Sequence, residues 1–227
     1  MTIEQVYKRF INTLIDKFGD ASIEDFEFTE LFNRSAIAVL TDQFNNRNKR
    51  VENGLLPYAF EMSQTDLHKW QSLIEKISIN TDNTGKLTIA SIETALTTGS
   101  KKLFHINTPL VSDETDTTLR KARYVRHNDY AQIITNNFLK PKASKPIWMG
   151  FYDYIQVLPE QQWKATFTVT RLPLPVKLDF ADATNNINPD LSEQAINDVL
   201  IRMEQYFAIK IRETQLNESA MAQENKQ

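Results

Sequence analysis

The apolar positions of the first eighteen residues fall at helical spacing. Ile3, Val6, Tyr7, Phe10, Leu14 and Phe18 recur three or four residues apart, which places them on one face of an amphipathic helix. Gly19-Asp-Ala21 interrupts the pattern. Ser22-Ile-Glu-Asp25 then offers a capping residue with an acid three positions on. Phe28, Phe32, Ala36, Val39 and Leu40 carry a second helix to about Phe44. The short break and the similar lengths predict an antiparallel helical hairpin over residues 1–50. Asn45-Asn-Arg-Asn-Lys-Arg50 reads as a polar loop beyond the helix end, where cations suit the C-terminal dipole. Its second reading is a basic contact patch of Arg47, Lys49 and Arg50.

The middle of the chain changes period. Residues 65–77 read as a short helix around Leu67, Trp70, Leu73 and Ile74, and residues 80–85 as a turn. Residues 86–96 suit a strand or a short helix, 103–106 a strand, and 109–118 a surface loop. Residues 120–126 predict a strand, with Asn128 or Asp129 capping a short helix that ends at Phe138. The prolines at 141 and 146 keep that stretch extended. Residues 147–149 and 155–158 predict a hairpin. In Trp163-Lys-Ala-Thr-Phe-Thr-Val169 apolar and polar residues alternate, the pattern of a half-buried strand. Leu172-Pro-Leu-Pro175 predicts an extended arm. Asn188-Pro189 opens a last helix with Ile196, Leu200, Met203, Phe207 and Ile211 on its apolar stripe. The sum is an α+β fold: an N-terminal helical hairpin, a β-rich middle (a small antiparallel sheet or sandwich) over 51–186, a long terminal helix over 187–215 and a flexible tail over 216–227. A single domain over 1–215 is expected.

Composition removes whole classes of chemistry. The chain of 227 residues has no cysteine, which excludes disulfides, thiolate catalysis and cysteine-ligated zinc. Its five glycines are scattered, and a phosphate-cradling loop needs them clustered. His68, His105 and His127 fall in three different elements without metal-ligand spacing. His127 and Asp129 could pose as a base and its orienting acid, but their spacing suits a helix cap better. Glu24, Asp25, Glu27 and Glu30 crowd the start of the second helix, where the helix dipole favours acids. A net charge of −3 gives no global attraction to nucleic acid or anionic lipid. No apolar run approaches the roughly 18–20 residues of a membrane helix, and the N-terminus shows no secretory pattern. The expectation is a non-enzymatic protein with no cofactor, no metal and no membrane partner.

Aromatics are dense in the β-rich middle: Trp148, Phe151, Tyr152, Tyr154, Trp163 and Phe167. Such residues build a core, and they also anchor interfaces. Trp148, Tyr152, Tyr154, Arg171, Pro173 and Pro175 are the candidates for contacts between subunits.

The ordered series of motifs resembles a family of virion proteins from tailed phages of Bacteroidetes hosts, including crAss-like phages. The resemblance rests on Asp20-Ala-Ser22-Ile-Glu-Asp-Phe26, Glu30-Leu-Phe-Asn33 and Ala36 near the start. It continues through Lys140-Pro141, Lys145-Pro-Ile-Trp148, Ile155-Gln-Val-Leu-Pro159, Thr168-Val-Thr-Arg171-Leu-Pro173 and Pro189-Asp-Leu-Ser-Glu193. It implies a structural protein that forms a ring in the head-to-tail connector or tail barrel, bridging portal and tail around the DNA channel. The implied partners are copies of itself in a ring (twelve-fold by the resemblance), the portal or neighbouring tail rings, and genomic DNA. The implied location is the virion, after synthesis in the host cytoplasm. A rival reading from another class is a nucleic-acid-binding accessory protein that uses Arg47, Lys49 and Arg50 together with Lys121, Arg123 and Arg126. A third is a hydrolase around His127 and Asp129.

Overall fold

The computed structural model describes residues 1–19, 22–52, 69–96, 102–107, 109–113 and 117–224, with the backbone alone for 44–52, 127 and 213–224. His68 and the start of the helix expected at 65 lie outside the described residues. The fold is α+β. In place of one domain over 1–215, the chain divides into two compact units. Residues 1–52, 69–72 and 173–224 belong to the first, and Leu73–Leu172 to the second. The apolar faces explain the division. The amphipathic helices from the two ends of the chain close on one another, while the alternating strands between them enclose a core of their own.

The first unit is helical. Helix α1 (Ile3–Phe18) starts at a Thr2–Gln5 capping box and ends at Gly19. Its Ile3, Val6, Phe10 and Leu14 are fully buried. Helix α2 (Asp25–Glu52) runs well past Phe44. The expected loop at 45–50 is helix because that polar stretch holds neither glycine nor proline, and the next glycine is Gly54. The rings of Tyr7 and Phe28 meet edge to face at 5.1 Å between α1 and α2. Helix α5 (Glu193–Glu224) closes the unit. It begins after Ser192, whose hydroxyl accepts from the Ala195 N–H, and not at Pro189. Its backbone stays helical through most of the expected tail, a stretch with alanine, methionine, glutamine and glutamate, all good helix formers.

The segment after Leu172 is extended, as its prolines require, and it lies along α2. Asn33 accepts from the Val176 N–H at 2.8 Å and donates to the Val176 carbonyl at 3.1 Å. One helical turn back, Thr29 accepts from the Leu178 N–H at 3.2 Å. A further turn back, Asp25 accepts from the Phe180 N–H at 3.4 Å. Val176 and Leu178 are buried. The fastening repeats at Asn188, which accepts from the Ile3 N–H at 2.9 Å.

The second unit holds two sheets. Strand β1 (Ile74–Asn80) is followed by β2 (Lys86–Thr88) and the short helix α3 (Ile89–Ala95). Strands β3 (Leu103–Ile106), β4 (Leu110–Asp113), β5 (Arg120–Lys121) and β6 (Arg123–Tyr124) precede helix α4 (His127–Thr135). Strands β7 (Ile147–Gly150), β8 (Tyr154–Leu158) and β9 (Trp163–Arg171) complete the unit. In the first sheet β9 pairs with β1 along one side and with β3 and β4 along the other, and β5 flanks β4. The second sheet has the order β2-β8-β7-β6, and only β6 and β7 run parallel.

Two expected elements change here. Residues 74–77 are strand, because Ile74 to Asn80 pair with Thr170 to Lys164 of β9. Residues 110–113 are strand rather than loop, because they pair with Trp163 to Thr166. Neither pairing has a local signal. The two sheets share one core, in which Trp163, Ala165, Phe167 and Val169 of β9 meet Trp148, Ile155 and Val157 of the second sheet. Full burial of each large β9 side chain is worth about 2–3 kcal/mol. The β1–β2 turn closes on Asp82, whose carboxylate accepts from the N–H groups of Thr84 and Lys86. Gly85 sits there at φ +77°, and a Cβ on it would lie 2.1 Å from the Val157 carbonyl oxygen.

Candidate functional site

The six interface candidates divide by burial. Trp148 lies on β7, whose inward face belongs to the shared core, and the residue is 9% exposed. Arg171 ends β9 at 5% exposure. Its Nε donates to Glu75 at 3.1 Å and a terminal nitrogen donates to the Leu172 carbonyl. Both residues serve the interior of the second unit, which corrects their assignment to a surface. Tyr154 is half-buried, stacked on Phe151 at 4.3 Å with Lys86 over its ring. Pro173 is half-buried and Pro175 exposed in the segment along α2.

Tyr152 is different. The β7–β8 hairpin closes through the Phe151 N–H on the Tyr154 carbonyl, and the turn leaves Tyr152 96% exposed. A hairpin anchored by two core-facing strands holds this ring out on a rigid mount. Beside the hairpin, an apolar pocket of about 350 Å³ opens between β3, β6 and β7. Leu103, Ile106, Tyr124, Trp148 and Phe151 are among its walls. Among the described residues, the buried Trp148 indole N–H has no hydrogen-bond partner.

The basic candidates also separate. Arg47, Lys49 and Arg50 stand on the backbone of α2, and their side chains lie outside the described residues. Of Lys121, Arg123 and Arg126, the first two line a groove of about 470 Å³, and Arg126 stands apart as the residue preceding α4. Ala122, between β5 and β6, is buried in the core, and Lys121 and Arg123 on either side of it are exposed. The opposite wall carries Lys140, Lys142 and Lys145, which the sequence reading passed over. Parallel pairing of β6 with β7 brings the two sets together, with Arg123 opposite Ile147. The repeated lysines between Pro141 and Pro146 were the available signal.

His105 lies on β3 and lines the apolar pocket. His127 opens α4, whose N-terminus has no side-chain cap, so neither Asn128 nor Asp129 caps it. Among the described residues, no group of three His, Asp or Glu side chains could hold a metal ion. Of the acids on α2, Asp25 holds the Phe180 N–H and Glu27 pairs with Lys210 at 3.2 Å. Hydrogen bonds hold three turn carboxylates below the usual aspartate range. The Lys86 N–H and the Thr84 hydroxyl do so for Asp82. The Asp182 N–H and the Asn185 amide do so for Asp179, and the Thr184 hydroxyl and N–H for Asp182. Burial, then the charge of Asp25, raises the Tyr7 phenol. Among the described residues, no helix is long and apolar enough to cross a membrane. No protein-family model matches the chain, and no curated protein matches it.

Proposed function

We propose that this chain is a structural virion protein that closes into a ring at the head-to-tail junction of a tailed phage. The observation that carries the reading is Tyr152, a large aromatic that the fold of its own subunit leaves unused. Exposed aromatics on rigid mounts are characteristic anchors of protein interfaces. The resemblance supplies the kind of assembly, and its motifs supply the mount: Lys145-Pro-Ile-Trp148 and Ile155-Gln-Val-Leu-Pro159 form the two arms of this hairpin. In such a ring the hairpin of each subunit meets a different face of its neighbour, and the rotation closes.

Mass photometry from nanomolar to high micromolar concentration, with negative-stain images of the same samples, tests the reading. Closed particles of one size support it, and Tyr152→Ala should shift them toward monomer by at least tenfold in concentration, the ~1.4 kcal/mol of a modest interface anchor. A monomer at every concentration, with the portal absent or present, overturns it.

A further inference from the structure

We infer that the groove between β6 and the 136–146 loop binds the backbone of single-stranded nucleic acid. Among the described residues, its lining holds five cations (Lys121, Arg123, Lys140, Lys142 and Lys145) and no carboxylate. The chain as a whole is acidic, so this concentration runs against its average. Among the described residues, Arg123, Lys140, Lys142 and Lys145 form no ion pair. Their charge is therefore available to an outside anion.

The loop is built to hold that charge in place. Lys142 and Lys145 flank a tight turn, closed by the Lys145 N–H on the Lys142 carbonyl at 2.8 Å. Pro141 and Pro146 fix the backbone on either side. A second turn, organised by Asn136, sets the aromatic element. The Asn136 side chain accepts from the Phe138 N–H at 2.9 Å, and its carbonyl accepts from the N–H groups of Leu139 and Lys140. That turn leaves Phe138 95% exposed at the rim of the cation groove.

A row of cations beside an outward-facing aromatic ring has a specific complement. Phosphates settle along the cations and an unpaired base stacks on the ring. A duplex hides its base faces and would leave Phe138 in water. An acidic peptide satisfies the cations but supplies no flat face for the ring. Both features together favour a single strand. The inference does not depend on the ring reading: a chain that stays monomeric with and without the portal yet binds oligonucleotide fails that reading and upholds this one.

Fluorescence anisotropy of the full chain with a labelled oligothymidine of about 20 nucleotides is the test. Neutralising about four phosphates should weaken binding roughly fifty-fold between about 50 and 200 mM salt. Phe138→Ala should weaken it about tenfold, as expected for loss of one stacked base. Lys142→Glu with Lys145→Glu should abolish it, while the paired arginine replacements retain it. These side chains are exposed, so thermal melts of all variants should match the parent. No binding at low salt, equal binding by the glutamate variant, tighter binding of a matched duplex, or tighter binding of polyglutamate overturns the inference.

Discussion

Replacing Asn33 by alanine tests the fastening of the 176–180 segment to α2. A helix advances about 6.0 Å in four residues, and an extended chain about 6.6 Å in two. Side chains one helical turn apart can therefore meet alternate backbone groups of an antiparallel strand with a mismatch of about 0.6 Å per step. The distances follow that drift, from 2.8 Å at Asn33 to 3.2 Å at Thr29 and 3.4 Å at Asp25. Asn33 makes two bonds to Val176, a buried residue whose N–H and carbonyl would both lose their partner. Two net bonds at about 1 kcal/mol each, plus incomplete resolvation of those groups, give a loss of about 2–4 kcal/mol for Asn33→Ala. Thr29→Val should cost about 1 kcal/mol, and the longer, exposed bond at Asp25 about 0.5 kcal/mol. All three long helices belong to this unit, so urea unfolding followed by far-ultraviolet ellipticity reports on it. Hydrogen exchange should show the Val176 amide losing protection in the same variant. An Asn33→Ala protein within ~0.5 kcal/mol of the parent, with Val176 still protected, would refute the reasoning.

Two further outcomes follow from turns. Gly85→Ala forces a Cβ to 2.1 Å from a backbone carbonyl at a positive φ, so the second unit should lose more than about 2 kcal/mol, read from the denaturation of its tryptophans. A glycine-like midpoint would show that the turn moves freely. Asp82, Asp179 and Asp182 titrate below their unfolded value of about 3.9, so their hydrogen bonds stabilise the fold above that pH and are lost as pH falls through the folded values. Thermal midpoints should therefore drop below about pH 4, and Asp82→Ala should flatten part of that slope. A midpoint independent of pH down to 2.5 would contradict the assignment.

The elements that sequence made legible are those whose pattern is local. Helix α1 carries its own cap and stripe, and β9 its own alternation, and both appear where expected. Strands β1 and β4 were missed because a partner about ninety or fifty residues away makes them strands. The same distance hid the cation groove, since Lys121 and Lys145 become neighbours only through the β6–β7 pairing. Trp148 and Arg171 misled for the opposite reason. Aromatic and arginine side chains suit an interface and an interior equally, and only the register of β7 and β9 decides between them.

The division of the chain also sets an order of events at the ribosome. Residues 73–172 hold the whole β core in one uninterrupted stretch, so it can form as soon as β9 emerges. Helices α1 and α2 are made before that core yet must wait, because both pack on α5, with Phe10 and Phe18 closing on Phe207, and α5 follows the β core in the chain. During that interval their apolar faces stay exposed to water, the condition under which incomplete chains aggregate.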